Sequence, residues 1–237
     1  MTFGSLFAGI GGFDLGFERA GMECKWQVEI DPYCQKVLAK HWPNVRRHDD
    51  VRTFPPAGDW SVDVICGGDP CQANSSAVGG DQSKHESLGG EFLRVVDALR
   101  PRIVVRENPT RVRRDAPWPW HRFRGGLEEI GYAVIPFRLR ACCFGAKHQR
   151  DRLFLLAELA DSDRNGLEGW QGPQAWDAGE LSRRMEGADW PNIPTARGFS
   201  SRAGLSTYVG EMRGLGNAVV PHVAEWIGRR LMESFKE

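Results

Sequence analysis

A glycine-bearing turn close to the start most narrows what this chain can fold into. Phe3 to Phe7 is a short apolar run. Phe7-Ala8-Gly9-Ile10-Gly11-Gly12 interrupts it, and Phe13 to Ala20 resumes with apolar residues at helical spacing before Gly21. A strand, a glycine turn and a helix open a nucleotide-binding half-fold, because glycines let a ligand approach the backbone and a helix N-terminus favours negative charge. The spacing is not that of the G-x-G-x-x-G fingerprint, so no dinucleotide is specified. Taken alone, the turn serves tight strand–helix packing equally well.

The same alternation continues down the chain. Cys24 to Glu29 is a second strand, and Asp31-Pro32 starts a helix to about His41 with Asp as N-cap and Pro at its first position. Val62 to Ile65 and Ile103 to Val105 are short buried runs, and Leu88 to Leu99 between them puts Phe92, Val95, Val96 and Leu99 on one helical face. Phe123 to Ile130 is helical, and Tyr132 to Leu139 and Leu153 to Ala157 are strands. This order predicts an α/β fold: a Rossmann-like, mostly parallel sheet with helices on both faces. From about Ala160 the composition shifts to Gly, Asp, Arg, Trp and Ser with little periodicity, and an apolar-periodic helix follows through Val223, Ile227 and Leu231. The expected organisation is a main domain over 1–159, a small loop-rich insertion over 160–212, and a segment over 213–237 that completes the main domain.

No apolar run approaches the ~18 residues needed to span a membrane, and the N-terminus has no signal-peptide core. The six cysteines show no Cys-x-x-Cys and no metal-ligand spacing. A reduced, cytoplasmic protein with free thiols, no metal and no membrane partner is expected. The formal net charge of zero hides a basic segment. From Leu93 to Arg152 fourteen Lys/Arg stand against six Asp/Glu, an excess of eight, and thirteen of the fourteen are Arg. Arginine suits phosphate, so the segment points to a polyanion, and a solvated face with acidic neighbours elsewhere is the plainer alternative.

Chemistry-bearing residues recur at strand ends. Glu29, 17 residues after Gly12, stands where an acid takes ribose hydroxyls. Asp49-Asp50-Val51 is a short acidic element fit to meet an adenine amino group, or a surface turn. Cys66-Gly67-Gly68-Asp69-Pro70-Cys71-Gln72-Ala73-Asn74-Ser75 follows a buried strand and carries Cys71 on a loop stiffened by Pro70. Cys71 is placed as a nucleophile would be, although an intracellular cysteine is often only a small buried hydrophobe. The polar, glycine-rich stretch from Val78 to Ser87 beside it reads as a lid. Glu107 again follows a strand, and Arg150 and Arg152 share a face by the period of two. Arg111 to Arg114 with Trp118-Pro119-Trp120 is either a nucleic-acid contact or a helix start with tryptophans in the core.

Taken in order, these pieces resemble the C5-cytosine DNA methyltransferase family across most of the chain. Phe7 to Gly12 is similar to its first cofactor motif, Gly67 to Gln72 to its nucleophile loop, Glu107-Asn108 to its Glu-Asn-Val motif, Gln149 to Arg152 to its Gln-Arg-x-Arg motif, and Gly216 to Val219 to its closing motif. The resemblance implies an S-adenosylmethionine-dependent enzyme that methylates C5 of a flipped-out cytosine in DNA. It implies a catalytic set of Cys71, Glu107, Arg150 and Arg152, with Gln72, Ser75 and Asn108 binding substrate. Phe7, Gly9, Gly11, Gly12, Glu29, Ile30, Asp50, Val51, Pro70 and Asn217 would hold the cofactor. Three departures stand out. Asn74 occupies the place of the family's usual Phe, Pro109 that of Val, and the stretch between Ala157 and Gly216 is short for a target-recognition domain. Relaxed specificity, a very short recognition element or a second chain supplying recognition each fit that shortness, which resembles phage or mobile-element members. A tRNA cytosine-5 methyltransferase and a non-catalytic nucleic-acid-binding homologue are the rival readings.

Overall fold

In the computed structural model, which describes residues 1–70, 88–110, 117–147, 150–160 and 218–234, the alternation of apolar runs becomes a single seven-stranded sheet. Its elements are β1 (Thr2–Leu6), α1 (Gly12–Arg19), β2 (Glu23–Val28), α2 (Pro32–His41), β3 (Arg46–His48), β4 (Val64–Gly67), α3 (Gly89–Leu99), β5 (Ile103–Pro109), α4 (Pro117–Glu129), β6 (Tyr132–Arg140), β7 (Asp151–Leu159) and α5 (Pro221–Ser234). The strand order is β3-β2-β1-β4-β5-β7-β6. The first five strands pair in parallel, and β7 runs antiparallel between β5 and β6. The expected α/β class with a mostly parallel sheet is what forms. The 160–212 insertion lies outside the described residues apart from its first.

Two apolar layers flank the sheet, and the side-chain alternation of the strands assigns residues to each. Phe3, Val64, Cys66, Ile103, Val105, Phe154 and Leu156 face one way, against Phe13 and Phe17 of α1 and Val223, Ala224 and Ile227 of α5. Leu6, Ile65, Val104, Leu155 and Ala157 face the other way, against Phe92, Val95 and Val96 of α3 and Phe123 and Leu127 of α4. Gly4 is needed for Trp26 to lie flat on β1, since a Cβ there would come within 2.0 Å of the indole.

Some boundaries differ from the expectation. Phe7 is not in β1: its φ of 53° puts it in the left-handed region, so the turn begins there. The helix expected from Phe123 begins at Pro117, a residue suited to a first helical position. β5 and β7 outrun their apolar cores, because each supplies the other's hydrogen-bonding partner along Ile103–Pro109 and residues 152–158. Arg106, Glu107 and Asn108 are therefore strand residues rather than loop residues.

A bulge lies in β2, where the pairing steps from Phe3↔Cys24 to Gly4↔Trp26. It brings Cys24 and Gln27 to the α1 side, where both meet the fully buried Asp14. Gln27 Nε2 donates to Asp14 Oδ1 at 2.8 Å and Ser5 Oγ donates to Oδ2 at 3.2 Å. Burial outweighs these donors and pushes the Asp14 carboxyl up to about 6. The unfolded chain then releases this proton first, so the fold's advantage is full below about 4 and is lost as pH rises through about 6. Over that window the parent is expected to lose about 3 kcal/mol of stability relative to Asp14→Asn. Urea unfolding of both proteins at a series of pH values checks this, and a difference that stays flat with pH contradicts it.

Candidate active site

The parallel strands end at one edge of the sheet, and the candidate residues gather there. After β1 the chain turns through Phe7, Gly9 and Gly11, all at positive φ. Gly9 N donates to Glu29 Oε2 at 2.7 Å, and Asp31 N donates to Oε1 at 2.8 Å. Glu29 is thus pinned between the two turns, and burial raises its carboxyl above the usual range against those backbone donors. Each oxygen keeps a second lone pair for another donor. Beside it Ile30 is 58% exposed, the larger of two outlying apolar side chains among the described residues. On the far side of the turn a Cβ on Gly12 would lie 2.2 Å from Val219 O, so the segment leading into α5 closes directly on the glycine turn. A cavity of about 500 Å³ opens beside this contact, between Ile10, Gly11, Trp42, Arg150 and Val219.

Asp50 and Val51 follow β3 in a short 3₁₀ turn, Val51–Thr53. Asp50 caps this turn by accepting from Arg52 N at 2.9 Å, and its carboxylate is gripped by the Arg52 guanidinium. Those bonds hold its carboxyl below the usual range. The sequence gives no hint of the residue that fixes this turn. Arg94 of α3 donates to Val51 O at 2.7 Å and Phe54 O at 3.2 Å, while its Nε pairs with Glu91. Only its i, i+3 spacing from Glu91 is legible in the sequence.

The second half of the site stands at the end of β5. Glu107 is 6% exposed, and Arg152 Nε reaches to 2.8 Å from its Oε1. That is the distance of an ion pair, but Oε1 has no aligned hydrogen bond. Burial raises the Glu107 carboxyl, opposed first by the charge of Arg152 and then by that of Arg150. Arg150, at φ 28°, also donates from Nη2 to Ala218 O, tying this cluster to the closing segment. The Arg152 guanidinium rests on Glu107 and on Asp151 O. Gly68 lies against the same carboxylate: a Cβ on it would stand 3.3 Å from Glu107 Oε2.

On the opposite face of β5 stands a pair that sequence reasoning missed. Arg106 Nε donates to Asp69 Oδ1 at 2.6 Å and Nη2 to Oδ2 at 2.8 Å, both side chains being buried. Asn108 Nδ2 lies 3.4 Å from Asp69 O and Oδ1. The available signal was a lone Arg after Val104-Val105, since a charge inside a buried strand requires a partner. Pro70 is the last described residue of this loop. Cys71, Gln72, Ser75, Gln149 and Asn217 lie outside the described residues, as do the stretch Val78–Ser87 and Arg111–Arg114. Among the described residues no three His, Cys, Asp or Glu cluster as metal ligands, and no helix is long and apolar enough to cross a membrane.

A family model described as C-5 cytosine-specific DNA methylase matches residues 1–193. The chain is 26% identical to the Type II methyltransferase M2.BsuMI of Bacillus subtilis over 98% of its own length and 76% of the relative's. It is 34% identical to the Type II methyltransferase M.Eco47II of Escherichia coli over 66% of its length, but only 40% of that relative. Among solved structures, a DNA modification methyltransferase encoded within an Escherichia coli prophage superposes with a TM-score of 0.57 at 26% identity, covering 67% of this chain and 47% of the other. The Dnmt2 methyltransferase of S. pombe, at 18% identity and a TM-score of 0.56 over 71% of this chain and 54% of its own, shares the fold. The chain thus spans about half the length of most of these relatives.

The Glu107–Arg152 pairing makes a direct prediction. In a carboxyl-carbon NMR titration with labelled glutamate, the Glu107 signal is expected to titrate above the ordinary glutamate range. Arg152→Gln removes the charge that opposes the rise most and is expected to move that midpoint further up. A midpoint that stays in place or falls contradicts the assignment.

Proposed function

Because the chain belongs to the C-5 cytosine-specific DNA methylase family, we propose that it transfers a methyl group from S-adenosylmethionine to C5 of cytosine in DNA. The observation that carries this reading is the buried Glu107, whose carboxyl is raised above the ordinary range by burial. It is ion-paired to Arg152 and packed against Gly68 of the loop that leads to Cys71.

The residues present fit the cofactor. Glu29 offers a fixed pair of acceptors suited to a ribose diol. The exposed Ile30 offers an apolar plate for a purine, and Asp50 and Val51 stand at the next strand end. A Cβ on Gly9 would meet nothing within 4 Å, so the turn leaves open space. Phe7, Gly11, Gly12, Pro70 and Asn217 complete the set. When bound, the cofactor supplies an electrophilic methyl group for C5.

The chain's own residues prepare the base. Cytosine C5 is a weak nucleophile until the thiolate of Cys71 adds to C6. That addition forms an S–C6 bond and pushes the C5=C6 electron pair onto the ring. Glu107, whose burial favours the protonated form, gives its proton to N3 and so neutralises the charge that the addition builds. Arg152 and Arg150 keep the resulting carboxylate compensated. Later a base removes the C5 proton, those electrons re-form C5=C6, the S–C6 bond breaks to return the thiolate, and N3 gives its proton back to Glu107. Gln72 and Ser75 frame a cytosine that must leave the duplex to reach this edge, while Asn108, expected to bind substrate, is buried on the other face of β5 against Asp69. The reading extends to target choice, where a second chain supplies recognition because the stretch between Ala157 and Gly216 is short.

A duplex carrying 5-fluorocytosine blocks loss of the C5 substituent and is expected to trap a covalent adduct, which Cys71→Ser abolishes. Labelled methyl incorporation into duplex DNA and not into tRNA completes the expected result. Incorporation into tRNA alone overturns the DNA assignment, and the absence of any adduct leaves a binding protein. Sequencing of methylated sites after expression of this chain alone tests the second chain: a fixed target motif removes it from the proposal.

A further inference from the structure

β5 carries Glu107 on one face and Arg106 and Asn108 on the other, so successive residues of one strand hold both the carboxyl and the nucleophile loop. We propose that the buried Arg106–Asp69 ion pair, backed by Asn108, is a positioning device that sets the register of the Cys71 loop against Glu107. The proposal rests on the assignment of Cys71 as nucleophile.

Asp69 is two residues before Cys71, and the Pro70 between them has its φ fixed by its ring. Anchoring Asp69 therefore fixes where the chain emerges towards Cys71. The anchor is a two-pronged fork, at 2.6 and 2.8 Å, which sets orientation as well as distance. The Arg106 guanidinium lies 3.9 Å over the Phe123 ring, and Phe123 meets Phe92 edge-on with ring centroids 5.3 Å apart. A Cβ on Gly67 would stand 3.0 Å from Phe92, so the fork is wedged from the side of α3 and α4.

Stability alone does not account for the pair. Removing two charges from water largely offsets their attraction, and an apolar pair of similar volume commonly serves stability as well or better. Here the cost is higher still, because Arg106 Nη1 is buried with no acceptor among the described residues. What the fork provides and an apolar pair does not is a single orientation of the loop.

The test uses that difference. The double variant Asp69→Leu/Arg106→Met removes both charges together and is expected to fold, with DNA binding and KM near those of the parent. Its single-turnover rate of adduct formation with 5-fluorocytosine DNA is expected to fall ~10²-fold, the scale of a misplacement of about 1 Å. The loss falls on kcat, and hydrogen exchange in the peptide spanning Gly67 to Gln72 quickens. Arg106→Lys keeps the charge without the fork and is expected to recover little of the rate. A folded double variant with parental trapping and exchange overturns the proposal. If the double variant does not fold, Arg106→Lys decides: parental trapping and exchange overturn the proposal, and slower trapping with faster exchange upholds it. If the parent itself traps nothing, the methyltransferase reading fails, and exchange alone then decides whether the pair positions the loop.

Discussion

The site depends on the antiparallel pairing of β7 with β5. Parallel strands deliver their C-terminal ends to one edge, so they bring together only residues that follow strands. A reversed strand delivers its N-terminal end to that same edge. Pairing of Pro109 with Arg152 and of Glu107 with Phe154 places the arginine beside the acid, although the two are far apart in sequence. The same reversal brings Arg150 within reach of Ala218, so the segment entering α5 is held to the edge that carries Glu107 as well as to Gly12. Slipping the pairing by one residue would send Arg152 to the opposite face and leave Glu107 buried without a counter-charge.

Buried acids in this sheet are handled in two different ways. Asp14 receives only neutral donors, and burial dominates, so its carboxyl rises to about 6. Glu107 is also dominated by burial, but two arginines oppose the rise. That balance suits a group that must hold a proton in one state and tolerate its loss in the next. The two sides of β5 thus differ: Glu107 meets Arg152 through one nitrogen, and Asp69 is held by a two-pronged fork from Arg106.

What the sequence made legible follows from local rules. The glycine turn, the Asp-Pro helix start and the period-two runs are short-range signals, and the sheet with its helices forms where they place it. Glu29, Glu107 and the Arg150/Arg152 pair fall at strand ends as expected, because polar residues that interrupt apolar runs mark where strands leave the core. What the sequence hid is pairwise and long-range. No local pattern says that Arg106 meets Asp69, that Arg94 holds the turn of Val51, or that β7 runs backwards. The extents of β5 and β7 were hidden for the same reason: charged residues stay in a strand when a neighbouring strand satisfies their backbone.

α3 carries this logic across the site, because it touches both halves. Its Arg94 grips the carbonyls of Val51 and Phe54 on the side of the cofactor residues. Two residues earlier Phe92 lies against Phe7 of the glycine turn, with ring centroids 6.2 Å apart, and against Phe123 under Arg106. Close-packed side chains transmit displacement because they have no free volume to absorb it. A shift of α3 along its axis would therefore move the Val51 turn, the Phe7 turn and the support beneath Arg106 together. The helix begins at Gly89, where the chain returns from the Cys71 loop, so the loop's far end is attached to the element that touches both half-sites. The turns at Val51 and Phe7 and the support beneath Arg106 are in this way tied to one helix.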